Sequence, residues 1–379
     1  MAFLNKVLVV GAGSAGLTIA SFLSRAGIQV EISEINLDTT RGAALGLSSN
    51  ALLPLRELGV LDEILAHSTP NLYMHVCNSA GQTVLDLKRP QPESIDFPVN
   101  VVIARSELSR ILTNLAREKG IQFLLDRHIV GIVDKSTHVA VRFSDGSEDL
   151  YDAVIGADGI GSTVRRLVWG NIATQTVNEV GWRWLTPLRP SIKRGAFYLG
   201  SGTTSLGLFP LPGGLAYAFL QESAIDIFQS PPETRRRDLL DRISAQFDGP
   251  FAKDVMADLP LASAIHFTRY PALLMPGPWH KGRIVLIGDA VHAMPPHVSS
   301  GAAMAIEDGF VLAQCLISED GWSQAMESFM TRRWPRISKV FEMAIDRVRS
   351  DDAPASTRMN EQATIEKVTE LWHCLLEPI

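Results

Sequence analysis

The first apolar run of the chain, Val7-Leu8-Val9-Val10, breaks into Gly11-Ala12-Gly13-Ser14-Ala15-Gly16, and apolar positions at helical spacing follow in Leu17, Ala20, Phe22 and Leu23. That pattern predicts a strand, a tight turn and a helix. A second run, Ile28-Gln29-Val30-Glu31-Ile32-Ser33-Glu34, completes a βαβ unit over residues 5 to 35. Glycines let the backbone turn sharply and approach a diphosphate, and the helix N-terminus offers free N–H groups and partial positive charge. Glu34 falls roughly 20 residues past the turn, where a carboxylate hydrogen-bonds a ribose hydroxyl. The unit is read as holding the ADP half of a dinucleotide; a glycine-rich turn in an ordinary α/β protein is the plainer alternative.

Further on, Gly42 and Gly46 suggest backbone passing close to something bulky. A helix runs from about Ser49 to Gly59, and strands span 72 to 88 with a turn at Ala80-Gly81. Another helix opens at Arg105, with Ser106 as its N-cap and Leu108, Ile111, Leu112 and Leu115 on its apolar face. Arg105 is placed either to reach an anionic ligand or to sit on the surface. Residues 121 to 155 read as strands returning to the first sheet through a hairpin turn at Asp145-Gly146. Val154-Ile155-Gly156-Ala157-Asp158 then repeats the strand-to-glycine-turn pattern, with Asp158 facing the ligand side of the sheet or simply shaping the turn.

Between 180 and 225 the character changes. Trp182, Trp184, Phe197, Tyr198, Phe209, Tyr217 and Phe219 stand in alternating segments punctuated by Gly and Pro. This predicts an antiparallel sheet, mostly core, that can also floor a flat apolar substrate. A charged amphipathic helix follows over 231 to 247, its Arg235-Arg236-Arg237 a solvated face, and strand character resumes at 261 to 270. Gly282 to Ala290 is a buried strand ending in Gly288-Asp289, whose carboxylate suits a ribityl or ribose hydroxyl. Met294-Pro295-Pro296-His297-Val298-Ser299-Ser300-Gly301 leads into a helix through Ala305, Ile306, Phe310 and Leu312, and that helix N-terminus can stabilise negative charge. Residues 350 to 365 are a polar connection to a last helix ending in Trp372-His373-Cys374.

With 379 residues the chain exceeds one core of ordinary size, so two domains are expected. A hydrophobic content of 46% with 20% charged residues suits a globular enzyme. The net charge of −6 argues against general affinity for nucleic acid or anionic membranes. No apolar run approaches the length of a bilayer span, the first strand leaves no room for a signal peptide, and a cytoplasmic location is expected. Cys77, Cys315 and Cys374 show no metal spacing and are read as buried thiols of a reduced protein.

Three motifs stand in order: Gly11-x-Gly13-x-x-Gly16 with Glu34; Asp158-Gly159-x-x-Ser162-x-x-Arg165; and Gly288-Asp289-Ala290-x-His292 with Pro295-Pro296 and a helix holding Glu307-Asp308. Together, over residues 5 to 345, they resemble the single-component FAD-dependent aromatic hydroxylases, the family of para-hydroxybenzoate and salicylate hydroxylases. The resemblance implies an α/β fold: a Rossmann-like FAD-binding domain (1–72, 98–178 and 275–345) interleaved with an antiparallel-sheet substrate domain (73–97 and 179–274), then C-terminal helices (346–379). It assigns Gly11, Gly13, Ser14, Ala15 and Gly16 to the diphosphate, Glu34 to the adenosine ribose, and Asp289 to the ribityl chain. It gives Arg41 and Arg105 further cofactor contacts and lets Asp158 hold the turn that meets FAD and the reductant. The segment from Pro296 through Gly301 and Ala302 would lie along the isoalloxazine. Three positions depart from the family pattern: Ile35 stands where an arginine is usual, Ala43-Ala44-Leu45 replaces Gly-x-Gly-Ile, and Ser299-Ser300-Gly301 replaces Gly-Gln-Gly.

The implied reaction is hydroxylation of a phenol, hydroxypyridine or hydroxyquinolone with O2 and NADH or NADPH, by way of a flavin hydroperoxide, in a monomer or homodimer. Helix-terminal N–H groups would stabilise reduced flavin. The ring becomes more nucleophilic when its hydroxyl is deprotonated, so a base or proton relay is expected. His75, His266, His292, His297, Tyr198 and Tyr217 are all open for that role, with His297, Tyr217 and Tyr198 the foremost and His292 read as a structural partner. Arg183, Tyr198, Phe209, Tyr217, Pro295 and His297 are the candidate substrate contacts; Arg183 can clamp a carboxylate or stack between its two tryptophans. Trp182-Arg183-Trp184-Leu185-Thr186-Pro187 also resembles a flavin-dependent halogenase motif. That enzyme class and a non-catalytic FAD-binding sensor are the rival readings.

Overall fold

The Lys6–Val10 strand is the hinge of the architecture. A computed structural model describes residues 3–37, 43–223, 230–262, 264–351 and 361–379; Arg41 and Gly42 lie outside these. Lys6–Val10 pairs in parallel with Gln29–Glu34 on one side and with Ala153–Gly156 on the other. Gln122–Leu125 and Ile284–Leu286 extend the parallel run outward, and the short His280–Lys281 strand closes one edge of the six-stranded sheet antiparallel. Val7 to Val10 are buried, as strands of a parallel sheet covered on both faces must be. Chains leave the carboxyl ends of neighbouring strands in opposite directions here, which opens a crevice at that end.

The Ser14–Arg25 helix packs on the Gly301–Ser318 helix. Their backbones come very close at Gly309, where an added Cβ would lie 2.9 Å from the Ala15 carbonyl oxygen and 3.0 Å from the Ile19 nitrogen. Gly301–Ser318 is long and apolar enough to cross a membrane by length and composition, contrary to the expectation that no segment is. Burial of 72% of it inside the protein gives the physical reason for its apolarity: it is a core helix wrapped by its neighbours.

Residues 121 to 155 also differ from expectation. Only Gln122–Leu125 and Ala153–Gly156 join the parallel sheet; Ile129–Asp134, Val139–Phe143 and Glu148–Tyr151 form a separate antiparallel sheet of three strands. Val139, Val141 and Phe143 are buried while Arg142 is exposed, the one-sided alternation of an antiparallel sheet and not of a parallel one. The predicted cap Ser106 lies inside the Arg105–Glu118 helix, whose N-cap is Ala104.

A seven-stranded sheet runs in the order His266–Ala272, Gln175–Pro187, Leu215–Ser223, Ser205–Leu211, Ala196–Leu199, Tyr73–Cys77, Thr83–Lys88. Its two faces follow residue parity. Trp182, Trp184, Leu206, Leu208, Ala218 and Leu220 form one core with Leu239, Ile243, Phe251 and Val255 of the Arg235–Gln246 and Pro250–Asp258 helices. The opposite parity, Phe209, Leu211 and Tyr217, packs on Ala43 and on Val102 of the Asn100–Ala104 strand. One face of this sheet is therefore closed by helices, and the other looks toward the crevice.

Candidate functional site

Three turns meet at the carboxyl ends of the parallel strands. In the glycine turn, an added Cβ on Gly11 would fall 2.5 Å from the Ala157 carbonyl oxygen, and one on Gly16 would fall 1.9 Å from the Gly11 carbonyl oxygen. Those two glycines are required by protein packing. Gly13 differs: nothing lies within 4 Å of where its Cβ would be. It borders open space at the start of the Ser14–Arg25 helix, and as N-cap it places no side chain over the first amides of that helix. Open space facing uncapped helix amides is the geometry that takes an anion. Glu34 stands beside this cradle, its Oε2 accepting the Ala12 N–H at 2.7 Å and its Oε1 the Asn36 N–H at 3.0 Å.

Asp158 accepts from the Ser162 hydroxyl at 2.5 Å and from the Thr163 and Val164 amides at 2.7 and 3.1 Å. Its carboxylate thus caps the Thr163–Trp169 helix and shapes the turn, although burial pushes its pKa up. Arg165 ties the turn onward, donating to the carbonyls of Ala290 at 2.7 Å and Ile160 at 2.6 Å.

Asp289 completes the group. It is open to solvent but set deep among protein atoms, as a side chain on the floor of a cleft is, and that burial raises its carboxyl above the ordinary value against the pull of His292 and Arg105. Beneath it lies a buried charge network. Asp308 accepts from the Gly288 N–H at 2.8 Å, His292 Nε2 at 2.5 Å and Arg333 Nε at 2.7 Å. Glu307 pairs with Arg333 and Arg336 and accepts from Asn50 Nδ2 at 2.7 Å. Burial opposes ionisation of Asp308, but His292 and Arg333 outweigh it and hold its carboxyl below the ordinary range. His292 is a structural member of this network, fixing the backbone that presents Asp289.

Facing these turns, the seven-stranded sheet presents Glu179, Gly181, Arg183, Phe209, Tyr217, Phe219 and Gln221, related by strand parity and cross-strand register. The Arg183 guanidinium lies 5.0 Å over the Tyr270 ring, with the Tyr217 hydroxyl close enough to act on its charge. The Tyr270 hydroxyl occupies the space above Gly181, where a Cβ would fall 1.5 Å from it. Burial pushes both tyrosine hydroxyls up in pKa, and the two tyrosines hold Arg183 charged against its own burial. Arg105 lowers the pKa of both Tyr217 and Asp289 electrostatically.

His297 leaves the Pro295-Pro296 corner and meets the same sheet. Its Nε2 lies 2.5 Å from Glu179 Oε2 and contacts Gln221 Nε2, which donates to Glu179 Oε2 at 3.0 Å. The His297 ring is edge-on to Tyr270 at 6.3 Å between centroids. Pro295 is buried, Pro296, Gly301 and Ala302 are partly exposed, and Ser299 takes a left-handed conformation with φ 50°. Gly46 has room for a Cβ, 3.6 Å from that of Ser299, so close approach does not explain its glycine.

Several sequence candidates fall elsewhere. Tyr198 is on the helix-covered face, its ring stacked 3.6 Å from Phe251, because Ala196 and Tyr198 share the parity that points away from the cleft. Tyr198 therefore contacts neither substrate nor cofactor from that face. Phe209 is a wall residue, 5.3 Å from the Phe197 ring and 6.4 Å from Tyr217. Trp182 and Trp184 are fully buried on the far face, so the halogenase-like pattern is core packing. His75 sits toward the sheet's outer edge, bonded to Cys77 Sγ at 3.3 Å and Arg194 at 2.8 Å. His266 pairs across from Arg183, and burial lowers its pKa. Glu179, Gln221 and Tyr270 escaped the sequence reading. Alternation with Arg183 and Tyr217 was their only local signal, and it becomes legible once the strand register is known.

An open glycine turn at uncapped helix amides on a parallel sheet is the architecture of a nucleotide-binding protein. Residues 5–344 match the FAD binding domain family, and the chain belongs to it. It is 30% identical over 341 residues to 2-heptyl-3-hydroxy-4(1H)-quinolone synthase of Pseudomonas aeruginosa, covering 88% of this chain and 86% of that one. It is 30% identical over 349 residues to 3-amino-4-hydroxybenzoate 2-monooxygenase of Streptomyces cremeus, covering 89% and 86%. The crystal structure of Klebsiella pneumoniae HpxO complexed with FAD and uric acid matches with a TM-score of 0.85 at 21% identity, covering 98% of this chain and 97% of that chain. The protein is an FAD-dependent monooxygenase of the aromatic-hydroxylase family. The open cradle at Gly13 and the carboxylate of Asp289, which takes no hydrogen bond from a described residue, suit the diphosphate and polyhydroxyl chain of FAD.

Proposed function

We propose that the enzyme hydroxylates a phenol, hydroxypyridine or hydroxyquinolone, with NADH or NADPH as reductant and O2 as co-substrate. The observation that carries this reading is the contact of His297, which follows the Pro295-Pro296 corner, with Glu179 on the sheet face that also holds Arg183, Tyr217 and the Tyr270 ring under the Arg183 guanidinium. When bound, FAD accepts hydride from the nicotinamide nucleotide and activates O2 for transfer of one oxygen atom to the ring. The amides after Gly13 hold the diphosphate, Glu34 the ribose, Asp289 the ribityl chain, and Arg105 adds positive charge between cofactor and substrate. The segment from Pro296 to Ala302 borders the isoalloxazine. Segments 1–72, 98–178 and 275–345 make the FAD-binding domain, 73–97 and 179–274 the substrate domain.

The protein's own part in catalysis is positioning and electrostatics. Arg183 is a permanent cation and favours the deprotonated ring hydroxyl, which enriches the ring in electrons. The Tyr217 and Tyr270 hydroxyls orient that oxygen, with Tyr217 placed to hold its proton. Phe197, Phe209 and Phe219 form a mutual aromatic cluster that excludes water from the reacting centre. Pro295 and His297 bring the cofactor-side loop against the sheet.

The test is NADH and NADPH oxidation with O2 uptake and product mass across hydroxylated benzoates, pyridines and quinolones. One ring compound is expected to accelerate oxidation and gain one oxygen atom. If no ring stimulates the FAD-loaded protein, or oxidation yields only hydrogen peroxide across the panel, the reading fails.

A further inference from the structure

Three aromatic side chains on the face of the seven-stranded sheet that carries Arg183 lie over glycines. The Phe219 ring covers Gly207, where an added Cβ would fall 2.1 Å from its Cε1 and 2.2 Å from its Cζ. The Phe209 ring covers Gly195, its Cδ1 2.5 Å from a Cβ built there, and the Tyr270 hydroxyl covers Gly181. Glycine inside a strand weakens it, and none of these three has the left-handed backbone that favours glycine. What each supplies is room for a neighbour's ring.

The rings lean in one direction. In the cross-strand register Phe219 stands between Arg183 on one side and Gly207 on the other. Lying over Gly207, its ring leans off the Arg183 strand. Phe209 stands opposite Tyr217 and leans the same way, onto Gly195 just ahead of the Ala196–Leu199 strand. The two rings are nearly parallel, 12° apart in plane and 6.1 Å between centroids. The atoms that a Cβ at position 207 would meet are at the far end of the Phe219 side chain. The ring, and not the backbone, therefore gives way to a larger residue there. A phenylalanine turned out of this niche takes another staggered rotamer, and Arg183 stands on its other side.

We infer that Gly207 and Phe219 together set the ring size that the enzyme accepts, and that the niche over Gly207 holds the Phe219 ring aside for a fused bicyclic substrate. From the Arg183 strand to the Ser205–Leu211 strand is two strand spacings, about 10 Å. A single six-membered ring fills only part of that width; a fused pair spans it, with its hydroxyl at Arg183 and its second ring on the face of Phe219. The inference rests on the proposed function for where the substrate lies, and narrows its three ring classes to the hydroxyquinolone type.

The test uses two probes that share one oxygenated ring and differ by the fused ring, 4-hydroxy-2-quinolone and 4-hydroxy-2-pyridone. Their binding to the FAD-loaded enzyme is read from the change in flavin absorbance. The wild type is expected to bind the quinolone about tenfold tighter or more, from the added apolar surface buried. Gly207→Ala should erase that preference while keeping its FAD, and G207A/F219A should regain it, because no ring is left to turn toward Arg183. If G207A does not fold, Phe219→Trp decides, since an indole exceeds the niche and should erase the preference as well. A wild type without the preference, a G207A or F219W enzyme that keeps it, or a double variant no better than G207A overturns the inference. Oxygenation of single rings alone by the wild type overturns it too and leaves the proposed function standing. Turnover of no ring at all overturns the proposed function, and the binding ratio still decides the role of Gly207.

Discussion

His297 Nε2 lies 2.5 Å from Glu179 Oε2, and both side chains are almost wholly buried. This contact joins the Pro295-Pro296 corner to the antiparallel sheet that faces it. Removing one partner strands the other without its mate in a dry site. Glu179→Ala is expected to cost about 3 kcal/mol in urea unfolding, and the E179A/H297A double variant to cost little more than E179A alone. Product formed per NAD(P)H consumed should fall in both. Additive losses in the double variant would show that the two residues do not act as a pair.

The glycines of the first turn separate packing from ligand binding. A Cβ on Gly16 collides with the Gly11 carbonyl, whereas a Cβ on Gly13 meets nothing within 4 Å. Gly16→Ala should therefore yield unstable or insoluble protein. Gly13→Ala should fold with an unchanged apoprotein melting temperature and lose at least about tenfold in FAD affinity, because the methyl group fills the space before the uncapped helix. Fluorescence titration of FAD into apoprotein is the check, and normal affinity in G13A would remove the diphosphate from this turn.

The central βαβ unit was legible because its signals are local: a buried apolar strand, a glycine turn and an acid at fixed distance. The strand ending in Gly288-Asp289 was legible for the same reason. The sheet-side half of the site was not. Arg183 and Tyr217 stand out as residue types, but Glu179, Gln221 and Tyr270 join them only through the register that sets Gly181 opposite Gln221 and Thr268. Tyr198 misled because an aromatic in a strand says nothing of which face it takes until one neighbour's face is known. Glu307 and Asp308 stand out in the sequence as a motif, yet their roles depend on Arg333, which is distant in sequence and reaches them only in the folded core.

Ser299 holds a left-handed backbone at φ 50° and ψ 30° where the family pattern has glycine. A side chain in that conformation costs about 1 kcal/mol. Ser299→Gly should recover part of that, about 0.5 kcal/mol after the added freedom of the unfolded chain is counted. Urea denaturation of the apoprotein measures it; a destabilised S299G would mean the serine hydroxyl contributes more than its strain removes.

Asp289 gives a pH signature. Burial raises its carboxyl above the ordinary value of 3.8, so the folded apoprotein holds this proton more tightly than the unfolded chain does. Stability associated with the neutral form is present below 3.8 and is lost as pH rises through the raised value. Asp289→Asn should thus stabilise the apoprotein near neutral pH and make no difference under strongly acidic conditions, while weakening FAD binding. Stability curves of both apoproteins across pH 3 to 8 test this. A constant offset at all pH values would assign the effect to something other than ionisation of Asp289.

The two tyrosines on opposite faces of the sheet make the sharpest comparison. Tyr217 shares a sheet face with Arg183, whereas Tyr198 stacks on Phe251 within the helix-covered core. On the proposed function, the Tyr217 hydroxyl orients the ring oxygen beside Arg183, and its removal loses a charge-assisted bond worth about 1.5–3 kcal/mol. Tyr217→Phe should then raise KM for the ring substrate by roughly tenfold or more and release more hydrogen peroxide per turnover. Tyr198→Phe retains the stacked ring and should leave both KM and coupling at wild-type values. Steady-state kinetics of the two variants on the substrate that the ring panel identifies decides between the faces. Equal effects from both, or an effect of Tyr198→Phe alone, would place the substrate on the wrong side of the sheet for the Arg183 cluster to act on it.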